Sequence, residues 1–327
     1  FAVPSTRYPN RDQVLAFYDG FIEGLEGRPG VIKAGTVQQL PLEGRSWSSQ
    51  FQAEGWPPER VGFEIVHRRA DADYFEAIRT PLLRGRLFES TDGPEDPLVI
   101  VVNETFAREH FPGEDPIGQR IAYDRAPTEE SNWWTIIGIV GDQAQESPAI
   151  PPRAEVFESR DQDWGRSSWV VVRGDGTSEA LFNTVRATLA EVDPLIPIAE
   201  AETLVDVWSR SMARESFLLR LLGVFGVVGL LLSAVGVYGV TAQAARRRTR
   251  EIGIRMALGA AAPDVLRLML RHGVVVIGAG LVVGLGGALV ATRALASFLY
   301  GVEPTDPLTL GSVAVLLGAI ALLACYV

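Results

Sequence analysis

Two stretches without a single charged residue, 221–240 and 273–292, flank a short segment crowded with arginine: Arg246, Arg247, Arg248, Arg250 and Arg255. A helix of about 20 residues rising about 1.5 Å per residue covers the roughly 30 Å hydrocarbon core of a bilayer. The pattern therefore predicts spanning helices at about 217–240 and 273–298. A third uncharged stretch, 308–327, predicts another span. It runs to the last residue with no polar flank, as expected of a sequence cut inside or at the edge of a membrane helix.

The arginines orient these spans. The loop between the first two holds seven arginines against Glu251 and Asp264, whereas 300–307 holds Glu303, Asp306 and no basic residue. Basic loops stay in the cytoplasm, so the first span runs inward and residues 1–213 are extracytoplasmic. From Arg214 onward ten arginines face five acids; with the whole chain at −10, the first 213 residues carry −15. So acidic a region excludes nucleic acid or an anionic lipid surface as its partner. Cys325 is the single cysteine, so no intrachain disulfide can form. Phe1 is neither a Met nor the head of a signal sequence, and export of residues 1–213 then calls for an upstream spanning helix.

The outer region reads as α+β. At 12–26, Val14, Phe17, Tyr18, Phe21, Ile22 and Leu25 recur at helical spacing before Gly27 and Pro29, and the β-branched run 31–37 predicts a strand. A strand at 168–172 and a helix capped by Thr177, carrying Leu181, Val185, Leu189 and Val192, lead to Asp193-Pro194 and a further strand at 196–198. Both ends thus read helix, proline turn, strand, and are expected to form one subdomain from 1–44 and 150–205. The middle, 45–149, is then an inserted subdomain, with a helix capped by Asp71, strands at 98–102 and 135–140, and a helix through Phe106. Residues 206–327 form the all-α membrane domain.

Chemistry-bearing constellations are few. His67, His110 and His272 have no partners at ligand spacing and read as surface or boundary residues. No Gly-x-Ser-x-Gly turn presents a serine, and neither a metal site nor a hydrolase is expected. No phosphate loop occurs, and Lys33 is the sole lysine, so the chain does not hydrolyse ATP by that route and needs no cofactor of its own. Gly280, Gly284 and Ala288 fall at i, i+4 and i+8 in the second span, and Gly226, Gly229 and Ser233 give the first a similar small-residue face; both suit close helix packing. In the basic loop, Arg250, Glu251, Ile252, Ile254, Arg255, Met256 and Leu258 mix charged and apolar residues in a segment expected to form a short helix ending at Gly259. Pro263 and Asp264 then start the next helix.

The run 248–260, Arg-Thr-Arg-Glu-Ile-Gly-Ile-Arg-Met-Ala-Leu-Gly-Ala, followed by Pro263-Asp-Val265, closely resembles the cytoplasmic loop of FtsX-like permeases, the MacB-type membrane subunits of ABC systems. Residues 101–121 and 137–142 resemble segments of the MacB-type periplasmic core domain. The resemblance implies a porter-like α+β unit with an inserted second unit, and four spanning helices of which this sequence holds three. It also implies a non-catalytic inner-membrane subunit, with ATPase activity in a partner or a missing domain. Its partners would be a cytoplasmic P-loop ATPase, membrane lipid, a second permease copy or half, and an extracytoplasmic adaptor or substrate. What such permeases share is mechanotransmission, in which ATP-driven closure below the membrane reshapes the domain above it. The competing expectation is a membrane-anchored sensor that signals inward without ATP.

Overall fold

The computed structural model describes residues 1–257, apart from 45, 46, 125, 129 and 149, together with scattered helical positions between 278 and 315. Its elements in chain order are α1 (Arg11–Glu26), β1 (Val31–Val37), β2 (Ser48–Ala53), β3 (Gly62–Ala70), α2 (Ala72–Ile78), β4 (Leu82–Gly85), β5 (Val99–Asn103), α3 (Glu104–His110), β6 (Arg120–Ala122), β7 (Trp134–Val140), β8 (Glu155–Ser159), β9 (Trp169–Gly174), α4 (Ser178–Val192), α5 (Leu204–Ser211) and α6 (Ala213–Ala257). Residues 1–212 make one compact unit, and the chain from Ala213 onward makes another.

Within the first unit the strands run β2-β6-β7-β5-β8-β3, and β3 pairs again with β2, so these six close into a ring. Closure leaves no free edge among them. The β3–β8 and β5–β7 ladders are parallel; the others are antiparallel. One apolar cluster draws Phe51, Ile65, Ile100, Ile121, Ile136 and Val156 from the six strands in turn, and Phe106 of α3 joins it. Asn103 ends β5 and starts α3 at once, its Oδ1 accepting from the backbone N–H of Phe106 at 2.9 Å and from that of Glu155 at 2.9 Å.

A two-stranded antiparallel ladder, β1–β9, joins this ring through Val37 opposite Ala70 of β3. Side chains alternate across a strand, and β9 shows the consequence. Val170 and Val172 pack with Phe17, Phe21, Leu189 and Ile196, against α1 and α4, while Val171 packs with Tyr74 of α2 and Val207 of α5. The six apolar positions of the first helix are all buried, and Asn10 caps it. Thr177 caps α4, and Asp71 caps α2.

One expectation is corrected here. Residues 196–198 form no strand: Pro197 has no N–H to give a ladder, and Ile196 instead buries among the residues of α1 and α4, with Ile198 partly buried against the same cluster. Strand β8 follows the expected boundary at 149/150 and pairs with β3 and β5.

Gly35 shows how tightly α2 sits on the ladder. A Cβ there would lie 2.2 Å from the backbone nitrogen of Tyr74, and backbone cannot step aside as a side chain can. Gly35→Ala should therefore destabilise the outer unit by about 1–3 kcal/mol, the usual cost of overpacking. Urea unfolding checks this; an unchanged midpoint would show that α2 can shift away freely.

Candidate functional site

The segment leaving the outer unit is a capped helix. Thr203 accepts from the N–H of Asp206, and the Asp206 carboxylate accepts back from Thr203, closing a capping box at the start of α5. Val207 anchors this helix in the cluster holding Val37, Tyr74, Phe157 and Val171. Arg210 pairs with Glu200 and Glu202, and the Ser147 hydroxyl donates to the sulfur of Met212 at 3.6 Å.

Met212 alone separates α5 from α6 in the chain. Helix α6 has 45 residues, and its window Ser216–Gly236 has a mean hydropathy of 2.3, long and apolar enough to cross a membrane. At about 1.5 Å per residue the helix is about 68 Å long, more than twice the hydrocarbon thickness. The backbone stays helical through Arg250, Glu251, Ile252, Ile254, Arg255 and Met256. This corrects the expected separate short helix: those residues continue the helix that carries the apolar window. Composition turns polar after Gly239, but no proline interrupts the hydrogen-bond ladder before Ala257. Leu258 and Gly259 lie outside the described residues.

Gly226, Gly229 and Ser233 sit in the apolar window and are exposed, and Gly280 and Gly284 are helical. A Cβ added at any of those four glycines meets no described atom within 4 Å. Ala288 and His272 lie outside the described residues, as do 273–298 and 308–327 apart from scattered positions.

The histidines are placed differently from the sequence expectation. His67 is fully buried rather than at a surface, and both ring nitrogens are engaged. Its Nδ1 lies 2.7 Å from Glu158 Oε1 and its Nε2 lies 2.7 Å from Ser49 Oγ. Trp47, half-exposed, stacks on the imidazole with ring centroids 3.6 Å apart, and Tyr123 meets it edge-on at 4.4 Å. Burial, and then the Glu158 carboxylate, push the Tyr123 hydroxyl pKa well above its ordinary value. Ser49 and Glu158 are 18 and 91 residues from His67 in sequence, so no local spacing announces the group. One face further along β3, Arg68 pairs with Glu155 at 2.9 Å, both without solvent exposure. No cluster of three metal-ligating side chains occurs among the described residues.

Residues 29–188 match the MacB-like periplasmic core domain, and residues 223–327 match the FtsX-like permease C-terminal. The chain belongs to the FtsX/MacB-type ABC permeases. It is similar to the macrolide export ATP-binding/permease protein MacB of Rhodospirillum rubrum, 27% identical over 297 residues, which is 83% of this chain and 44% of that protein. It is also similar to the pyoverdine export ATP-binding/permease protein PvdT of Pseudomonas putida, 26% identical over 242 residues, 67% of this chain and 34% of that one. The solved periplasmic region of MacB from Actinobacillus actinomycetemcomitans aligns with 53% of this chain and 73% of its own length, at 15% identity and a TM-score of 0.39. The permease spans less than half the length of these two curated relatives. The family matches cover its periplasmic core and its permease region, and no ATPase domain is among them.

The imidazole of His110, at the end of α3, resists protonation. Burial, and secondarily the Arg60 guanidinium, hold its pKa at about 4 against an ordinary 6.5. The unfolded chain takes up this proton near the ordinary value and the folded chain only near the lower one. Stability therefore falls as pH drops through that window, by at most about 1.4 kcal/mol per pH unit and by less for a ring that water still reaches. Denaturant titrations from about pH 7 to about pH 5 should show the loss, and His110→Gln should reduce it. Equal pH dependence in parent and variant would refute the assignment.

Proposed function

We propose that this permease is the membrane subunit of an ABC export system, converting ATP hydrolysis by a partner ATPase, or a further domain, into movement of its extracytoplasmic part. On this reading it is a multi-pass protein of the inner membrane with residues 1–213 outside. The carrying observation is helix α6, which holds the apolar window and the basic segment on one unbroken rod. About 20 residues of that helix follow Gly236, roughly 30 Å at helical rise, so the segment from Arg250 reaches well clear of the bilayer. A push on that end need not cross a flexible joint before it reaches Ala213. The names of the relatives, both export ATP-binding/permease proteins, support export as the work performed.

The coupling residues on this reading are Arg250, Glu251, Ile252, Ile254, Arg255, Met256 and Leu258, docking on the ATPase. The extracytoplasmic part works as two pieces, a porter-like one from both ends of the region and the inserted one. The separate apolar clusters around α1 and inside the strand ring support that division. Combining Glu251→Arg with Arg255→Glu should lower co-purification of the ATPase with the tagged permease and its stimulation of ATP hydrolysis. Association and stimulation equal to the parent would count against the docking role.

The small residues Gly226, Gly229, Ser233, Gly280, Gly284 and Ala288 leave smooth helix surfaces suited to a second permease copy or half. Gly284→Leu should weaken assembly in detergent, read by light scattering or cross-linking. A variant that assembles and functions like the parent would remove this surface from the interface.

A further inference from the structure

We propose that Ser49 is an activated nucleophile, with His67 its general base and Glu158 the residue that positions the base, able to accept an acyl group from an ester. Ser49 Oγ and Glu158 Oε1 each lie 2.7 Å from opposite nitrogens of the same imidazole. A carboxylate can only accept, so it fixes the proton on Nδ1 and leaves the Nε2 lone pair facing the Ser49 hydroxyl. That is the chain of contacts by which an imidazole takes a serine proton while a buried carboxylate stabilises the resulting imidazolium. The burial pattern fits the same roles: His67 and Glu158 are buried, whereas Ser49, near the start of β2, is partly open to solvent. The exposed half of Trp47, stacked on the base, sets an apolar surface beside it, suited to the apolar portion of an ester. The Gln50 carbonyl, 3.0 Å from Ser49 Oγ, is the competing acceptor for the hydroxyl proton and holds the side chain on this side of the strand.

In the step itself, Ser49 Oγ bonds to the ester carbonyl carbon while its proton moves to His67 Nε2. The bond from carbon to the leaving oxygen then breaks, and that oxygen takes the proton from His67. Solvent water repeats the sequence to release the acid and restore the hydroxyl. No redox partner or metal is needed.

The test uses the whole permease in detergent, treated with a fluorophosphonate probe, with the labelled residue located by peptide mass spectrometry. Attack by Ser49 forms the oxygen–phosphorus bond, fluoride leaves, and the proton passes to His67. Labelling of the parent at Ser49 is expected, with none in Ser49→Ala, a small change at a partly exposed position that should keep the parent's melting temperature. His67→Asn should slow labelling about 100-fold, the usual contribution of a general base. Glu158→Gln should move the pH midpoint of the labelling rate downward, because a neutral amide no longer stabilises the imidazolium; the other groups around the ring, Tyr123 and Asp163, stay as they are. A parent that is not labelled at Ser49, labelling that persists in Ser49→Ala, or a rate indifferent to His67→Asn would each overturn the proposal.

Discussion

Strands β3 and β8 are held in register by buried polar pairs on both of their faces. Arg68 meets Glu155 on one side, and one residue back along β3, His67 meets Glu158 on the other. Slipping a strand by one residue turns every side chain to the opposite face. Here such a slip would strand a guanidinium or a carboxylate without its partner in the interior, where breaking a buried pair costs several kcal/mol. Apolar residues would tolerate the alternative register far better. The two pairs thus add selectivity between registers even where their net contribution to stability is small. The rest of the unit hangs on this choice, since β3 pairs with β2 to close the ring and with β1 to attach the ladder.

The same chemistry explains which elements could be read along the chain and which could not. Helices α1 and α4 announce themselves because their apolar residues recur within a turn or two and their caps, Asn10 and Thr177, are adjacent. Strands β1, β5, β7 and β9 are runs rich in β-branched residues, legible from composition alone. Strand β8, Glu-Val-Phe-Glu-Ser, is buried at every position yet looks half polar. Its two glutamates meet Arg68 and His67 of β3, about ninety positions upstream, and no local window contains that information. Ser49, His67 and Glu158 were illegible for the same reason. The basic segment is hard to read for a different reason: a change from apolar to charged residues does not itself end a helix. Only a lost hydrogen bond or an unfavourable backbone does that, and neither occurs before Ala257.

What the outer unit needs, if a rod is to move it, is a firm grip close to where the rod begins. Helix α5 supplies one by three separate means. Its capping box fixes its start, Val207 buries in a cluster shared by β1, β8, β9 and α2, and Arg210 holds the preceding loop through Glu200 and Glu202. Eight residues of helix in isolation would be marginal; here packing makes the element rigid. Because the Val207 cluster includes Phe157 of the ring as well as Val171 of the ladder, a displacement of α5 presses on both at once. Among the described residues, strand pairing joins ring and ladder at Val37 and Ala70. On the proposed reading, force arriving through α6 passes by way of α5 to ring and ladder together, through the cluster in which both pack.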